Sequence, residues 1–427
     1  MLNYVIFNIK SSLKRKENVI LILLFVICEI ALLFTLNTKI DTESPYQQSL
    51  GISSSNVTQK LDSELYKEFM NLVNLTNDEI EKGELAAKNK DWKLYCEYKV
   101  KVSVLEAQWY ILTSNEEISY FEHSNIIEKL RKKYHIEDLS KYQKIIGNKS
   151  NENINLYFCS QQAARYFDYL LDHNLTPITY SFVDSSSVLL QISRYIFPIV
   201  LPLVVGLLLF QQKERRIKTE KMILTVSGMK KKYITWNLIS DYVLILLIVF
   251  LPIVLYVVGL TLVNGISNFN YPVLYYHSGL TGFNYWDTMG LDNVSLVASG
   301  LTNMSVNQFC TPGMEIMPLW QCSLLIGFGI ILLIFFYVVF ICLLSETIKN
   351  KYLALLIFFV TLGLLSFASP IGNTQMINTL NPMSYRDFGM NLLGTSYFGY
   401  FAGIAVLAIY CIVMYLVLKW CAKKVHA

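Results

Sequence analysis

The feature that most constrains this chain is a set of long apolar runs, at 19–36, 188–210, 234–263, 319–343, 352–369 and 398–418. A helix of about 18 residues rises about 27 Å, just enough to cross the hydrocarbon core of a bilayer. Only 16% of the 427 residues are charged, against about 25% in an average soluble protein. The expected fold is an all-α integral membrane protein. It has six transmembrane helices, an N-terminal interfacial helix and a mainly helical extracellular domain.

Charge sets the orientation. The stretch 211–237, QQKERRIKTEKMILTVSGMKKKYITWN, lies between two apolar runs. It carries Lys213, Arg215, Arg216, Lys218, Lys221, Lys230, Lys231 and Lys232 against Glu214 and Glu220. Basic residues this close to apolar runs mark the cytoplasmic side. Segments 1–17, 211–233, 344–351 and 419–427 together hold 17 Lys/Arg and 4 Asp/Glu, whereas 39–184 holds 17 basic and 22 acidic residues. This predicts a multi-pass protein of the plasma membrane with both termini cytoplasmic. The distribution requires membrane lipid as a partner and no nucleic acid. No small-x-small cleavage site follows the first apolar run, so that run reads as an uncleaved anchor.

Six units follow in order. Residues 1–17 form an amphipathic interfacial helix with Leu2, Val5, Ile6, Ile9 and Leu13 on one face. Residues 18–37 form the first transmembrane helix. Residues 38–187 form the extracellular domain, with helical spacing in Trp92, Tyr95, Tyr98, Val102, Leu105 and Trp109. Residues 188–210 form the second span and 211–233 a cytoplasmic loop. Residues 234–427 supply spans three to six, with an aromatic extracellular segment at 264–318. Within the loop, a charged turn from Lys213 to Lys221 precedes the apolar Met222, Ile223 and Leu224, and Ser227-Gly228 breaks the pattern. That predicts a short helix held against the inner membrane face, then a second helix start.

Enzymatic signals are weak. Gly-x-x-x-x-Gly-Lys, His-Glu-x-x-His and Gly-x-Ser-x-Gly are absent, and the five histidines stand apart. No metal site and no cofactor is expected in this chain. Cys96 and Cys159 are candidates for a disulfide. Three polar residues fall inside apolar runs: Glu29, Arg194 and Asp241. Ionisable groups there face protein or water rather than lipid. Arg194 is a candidate partner of Glu29, although snorkelling to the outer headgroups explains it more simply. Asp241 is expected to meet the basic loop.

The order of these parts resembles the membrane subunit (permease) of a type-2 ABC exporter, in the Gram-positive branch with a large extracellular domain after the first span. Glu214, Thr219, Lys221, Ile223 and Lys230 fit the family's loop pattern, although Lys218 replaces its Gly and Ser227 its Pro. Tyr169-Leu170-Leu171-Asp172-His173-Asn174 resembles its Tyr-x-Leu-Leu-x-x-Asn, and Leu380-Asn381-Pro382-Met383-Ser384-Tyr385 its Leu-Asn-Pro-Phe-Ser-Tyr. The resemblance implies a permease that exports a peptide or other amphipathic substrate. A separate cytoplasmic ATPase subunit, acting as a dimer, would hold ATP and Mg. A second permease chain, identical or homologous, would complete the path. Glu214, Lys221, Met222, Ile223 and Leu224 would form the ATPase-coupling element. A rival reading is a membrane sensor or immunity protein that binds a peptide through its extracellular domain. A membrane-embedded hydrolase is disfavoured for want of a nucleophile and base.

Overall fold

A computed structural model describes residues 2–36, 63–114, 124–146, 153–177, 188–225, 233–276, 314–368, 379–392 and 398–426. From Lys213 to Thr225, and at Arg194 and Cys159, the backbone course alone is described. Helix α1 (Leu2–Leu13) leads through a tight elbow into α2 (Lys16–Leu36). The buried side of α1 is Val5, Asn8 and Ser12, spaced three and four apart, and it packs on a later helix. Ile6, Phe7 and Leu13 stay exposed. The apolar face expected from sequence is therefore divided. Val5 seats against protein, and Ile6 and Leu13 point away from it.

Four helices follow as a bundle: α3 (Ser63–Lys88), α4 (Trp92–Leu112), α5 (Ser124–Lys133) and α6 (Asn153–Asp172). Helix α4 is central and is enclosed almost all round between Val100 and Tyr110. Its aromatic residues set the packing. Trp109 stacks on Phe69 of α3 at 5.2 Å between ring centroids, and Tyr95 meets Phe167 of α6 edge-on at 6.0 Å. The expected face of α4 is partly confirmed: Tyr95, Val102, Leu105 and Trp109 are buried, and Trp92 and Tyr98 only half so. Asp91 caps α4 by accepting from the Leu94 amide. The ends of α3, α5 and α6 turn on left-handed residues that are not glycine: Lys90, His135 and Asn174, at φ 59°, 53° and 53°.

The next apolar run does not form one helix. Helix α7 (Val188–Tyr195) stops, and α8 (Phe197–Thr225) begins after Ile196. Pro198 accounts for the break. Its ring would clash with the carbonyl four residues back, and it has no amide hydrogen to donate. Beyond the apolar stretch, α8 does not stop at residue 210. The backbone stays helical to Thr225, so Glu214, Lys221, Met222, Ile223 and Leu224 lie on an extension of the same helix. In place of the expected separate short helix, residues 213–225 continue α8 as one rod. Ser227-Gly228 and Lys230 to Lys232 lie outside the described residues.

Helix α9 (Tyr233–Asn264) is followed by β1 (Pro272–Tyr276) and β2 (Met314–Pro318), an antiparallel pair with Val273 opposite Met317 and Tyr275 opposite Glu315. This pair is a departure from the all-α expectation. β2 passes directly into α10 (Leu319–Thr347), which packs against α7, α8 and α9 and against two further helices, α11 (Lys351–Ala368) and α13 (Tyr400–His426). Between those two lie a 3-10 turn, Pro382–Tyr385, and the short α12 (Phe388–Leu392). Among the described residues, four helical stretches are long and apolar enough to cross a membrane: Tyr233–Val263, Leu319–Thr347, Lys351–Ala368 and Tyr400–Cys421. The chain is therefore a mostly helical, membrane-embedded protein.

Candidate functional site

The coupling residues expected from sequence lie on the rod that continues α8, so the site is best built from the base of that rod. Gln211 is the point where the apolar part ends. The Arg15 guanidinium, in the elbow between α1 and α2, donates to the Gln211 carbonyl at 3.4 Å. On the same level, Lys351 at the start of α11 lies 5.6 Å from the Phe210 ring centroid, and Tyr352 packs its ring on Phe210 at 5.2 Å. The base of α8 is thus collared by the α1–α2 elbow on one side and by α11 on another. Helix α1 is in turn fixed to the first turns of α9, where the Tyr4 hydroxyl donates to Asn237 Oδ1 at 2.6 Å. The elbow itself is held by Asn18, whose Nδ2 donates to the Ser12 carbonyl at 2.9 Å. In sequence, Arg15 and Lys351 are two members of a basic surface. Nothing in their spacing says that both touch one helix.

Of the polar residues of the apolar runs, Glu29 and Asp241 lie on different helices. Asp241 is buried one turn beyond Asn237 on α9. Glu29 is fully enclosed far along α2, and neither carboxyl oxygen has a hydrogen-bond partner among the described residues. Arg194 lies on α7, which packs against α2. Cys96 is a free, buried cysteine, so it is not in a disulfide with Cys159, and burial pushes its thiol up to about 12. Among the described residues no group of three His, Cys, Asp or Glu side chains could hold a metal ion.

At the opposite end of the helices the two short motifs have structural work. Asn174 sits in the left-handed turn that closes α6, where the Leu175 amide donates to the Leu170 carbonyl at 2.9 Å. His173 stacks on Tyr169 at 3.9 Å, and Asp172 accepts from Lys133. Asn381 caps its 3-10 turn through the Met383 amide, and its Nδ2 donates to the Leu365 carbonyl of α11 at 2.7 Å. The Tyr410 hydroxyl of α13 donates to the Leu380 carbonyl at 2.6 Å. Tyr385 and Phe388 lie so close to Gly403 of α13 and Gly329 of α10 that a Cβ at either glycine would overlap the ring. This segment is a clamp across three helices.

A buried polar seam joins α4 to α6 within the bundle. Ser160 donates to the Glu106 carboxyl at 3.3 Å. Burial pushes Glu106 up to about 7, opposed by the nearby Lys99 charge and by the Ser160 bond. No protein-family model matches the chain, and neither does any curated protein or any solved structure. The fold and the collar define a helical membrane protein with a rod-like basic extension at one end and a helical bundle at the other.

Proposed function

We propose that this chain is the permease subunit of an ABC transporter, exporting a peptide or other amphipathic substrate across the plasma membrane. A partner ATPase dimer supplies the energy, and a second permease chain completes the path. The carrying observation is the unbroken run of α8 from its apolar stretch through 213–225, collared at its base by Arg15 and Lys351. A push on Glu214, Lys221, Met222, Ile223 and Leu224 is delivered along a stiff helix rather than lost in a flexible loop. The collar passes it to α1, α9 and α11 at once. Transport requires two global arrangements with different contacts, and the collar supplies contacts that such a push would change.

The basic end then faces the cytoplasm, with α2, the α7–α8 pair, α9, α10, α11 and α13 as six crossings and the 63–177 bundle outside. The test is ATPase stimulation in the reconstituted complex. Glu214→Lys and Leu224→Asp are expected to reduce it at least tenfold while insertion is unchanged. Lys230→Arg is expected to leave it within twofold, because a lipid phosphate accepts either cation. Wild-type stimulation by Leu224→Asp would reject docking on this rod. Recovery of the chain with a sensor kinase in place of an ATPase would favour the sensor reading.

A further inference from the structure

Glu29 is used by none of the above. It lies on the buried stripe of α2, which runs Asn18, Phe25, Glu29 at spacings of seven and four. Its relative exposure is 0%, and both carboxyl oxygens are without a hydrogen-bond partner among the described residues. A carboxylate in that condition has lost its hydration and gained nothing, so a group of this kind takes up a proton instead.

The surroundings of the carboxyl support this. Helix α8 packs on α2 and carries no ionisable residue between Phe197 and Gln212. Helix α9 brings Tyr256, whose hydroxyl donates to the Val26 carbonyl at 3.5 Å and lies within electrostatic reach of Glu29. Asp241 on the same helix is about four turns away. Helix α1 meets α2 at its other end, about three turns from Glu29. Helix α7 contributes Arg194 and Tyr195, whose side chains are not described.

We propose that Glu29 is a proton-binding site. In this packed arrangement the carboxyl holds its proton. When α2 parts from α8 and α9, water enters, the O–H bond breaks, and the proton leaves to water while the carboxylate keeps the electron pair. One bound proton thus accompanies closure. The closed-to-open ratio rises by up to about tenfold for each pH unit of acidification in the linked interval. The inference does not rest on the transport reading. It requires only that α2 can separate from its neighbours.

The experiment is infrared spectroscopy of the full chain in liposomes, as wild type minus Glu29→Gln, in a Glu106→Gln background that removes the buried acid of the bundle; the buried Asp241 and Asp387 are common to both samples and cancel in the difference. The expected result is a carbonyl stretch of a protonated carboxylic acid that persists at neutral pH, where an ordinary glutamate is ionised. If Glu29→Gln does not insert, Glu29→Asp keeps an acid and shifts the same band. Carboxylate bands alone at neutral pH would overturn the proposal. So would a protonated band that appears only in Arg194→Gln, because that would mean an ion pair between α2 and α7.

Discussion

Glu106 shows how a single enclosed acid can set the pH response of the bundle. Its carboxyl is held up to about 7 by burial, against 4.5 for the free side chain. Between those values the folded bundle keeps the proton and the unfolded chain does not. Stability is therefore full below about pH 4.5 and falls as pH rises through 7. The loss is on the order of 3 kcal/mol at most, at about 1.4 kcal/mol for each pH unit. Thermal unfolding of the purified chain at pH 5 and pH 8 is expected to show this drop, and Glu106→Gln to flatten it. Equal melting of wild type and variant at both pH values would show that the seam does not sense pH. Backbone conformation offers a second test at this scale. His135 holds φ at 53° without being glycine, a conformation that costs a non-glycine residue about 1 kcal/mol or more. His135→Gly is expected to raise the melting temperature of the bundle, and a lower one would mean that the imidazole makes a compensating contact.

Among the elements, the β1–β2 pair has the widest reach for its size. The Tyr271 hydroxyl donates to the Thr176 carbonyl just past α6 at 2.6 Å, and the Leu319 amide at the start of α10 donates to the Tyr271 carbonyl at 2.7 Å. The Tyr275 hydroxyl donates to Glu315 at 2.8 Å, and Arg165 of α6 faces both. The bundle is thereby strapped to the central helix α10. Tyr271→Phe removes the part-buried bond to the Thr176 carbonyl, at a cost of about 0.5 to 1.5 kcal/mol. Amide exchange at 271–276 and 170–177 is expected to accelerate by up to about tenfold, and unchanged exchange would show that the strap carries no load. The clamp permits a parallel test. Gly403→Ala drives a methyl into the Tyr385 ring, and overpacking of this kind costs about 1 to 3 kcal/mol. A melt indistinguishable from wild type would mean that the 379–392 segment shifts freely.

For the whole molecule the question is which end faces which compartment. The element order places α1, the α8 extension, the α10–α11 link and the end of α13 together. The other end holds the bundle, the strands and the clamp. The positive-inside rule assigns the first group to the cytoplasm. Cys96 is a poor probe because it is buried. Glu81→Cys on α3 supplies an exposed one. An impermeant thiol reagent applied to intact cells is expected to modify Glu81→Cys and to leave Cys421 untouched. The opposite pattern would invert the topology and remove the basis for an ATPase at the rod.

By itself the sequence determined the class of this protein and most of its helices. Apolar runs of 18 residues or more have few foldable alternatives in a bilayer, and the 3.6-residue spacing of Tyr95, Val102 and Trp109 is a local property of the chain. Proline chemistry is also local, yet the apolar continuity of 188–210 predicts one helix where Pro198 makes a break at Ile196. Only the tertiary structure decided what the polar residues do. Whether Glu29 has a partner depends on which helices enclose it. Whether Arg15 touches Gln211 depends on a contact 196 residues apart in sequence. The strands at 272–276 and 314–318 pair across nearly forty residues, so neither could be read from its own neighbours. The same holds for Gly403 and Gly329, which serve as notches only because Tyr385 and Phe388 fold back on them. Periodicity reports the environment of a segment averaged over its length. A site is made of single contacts between segments, and those are fixed by packing.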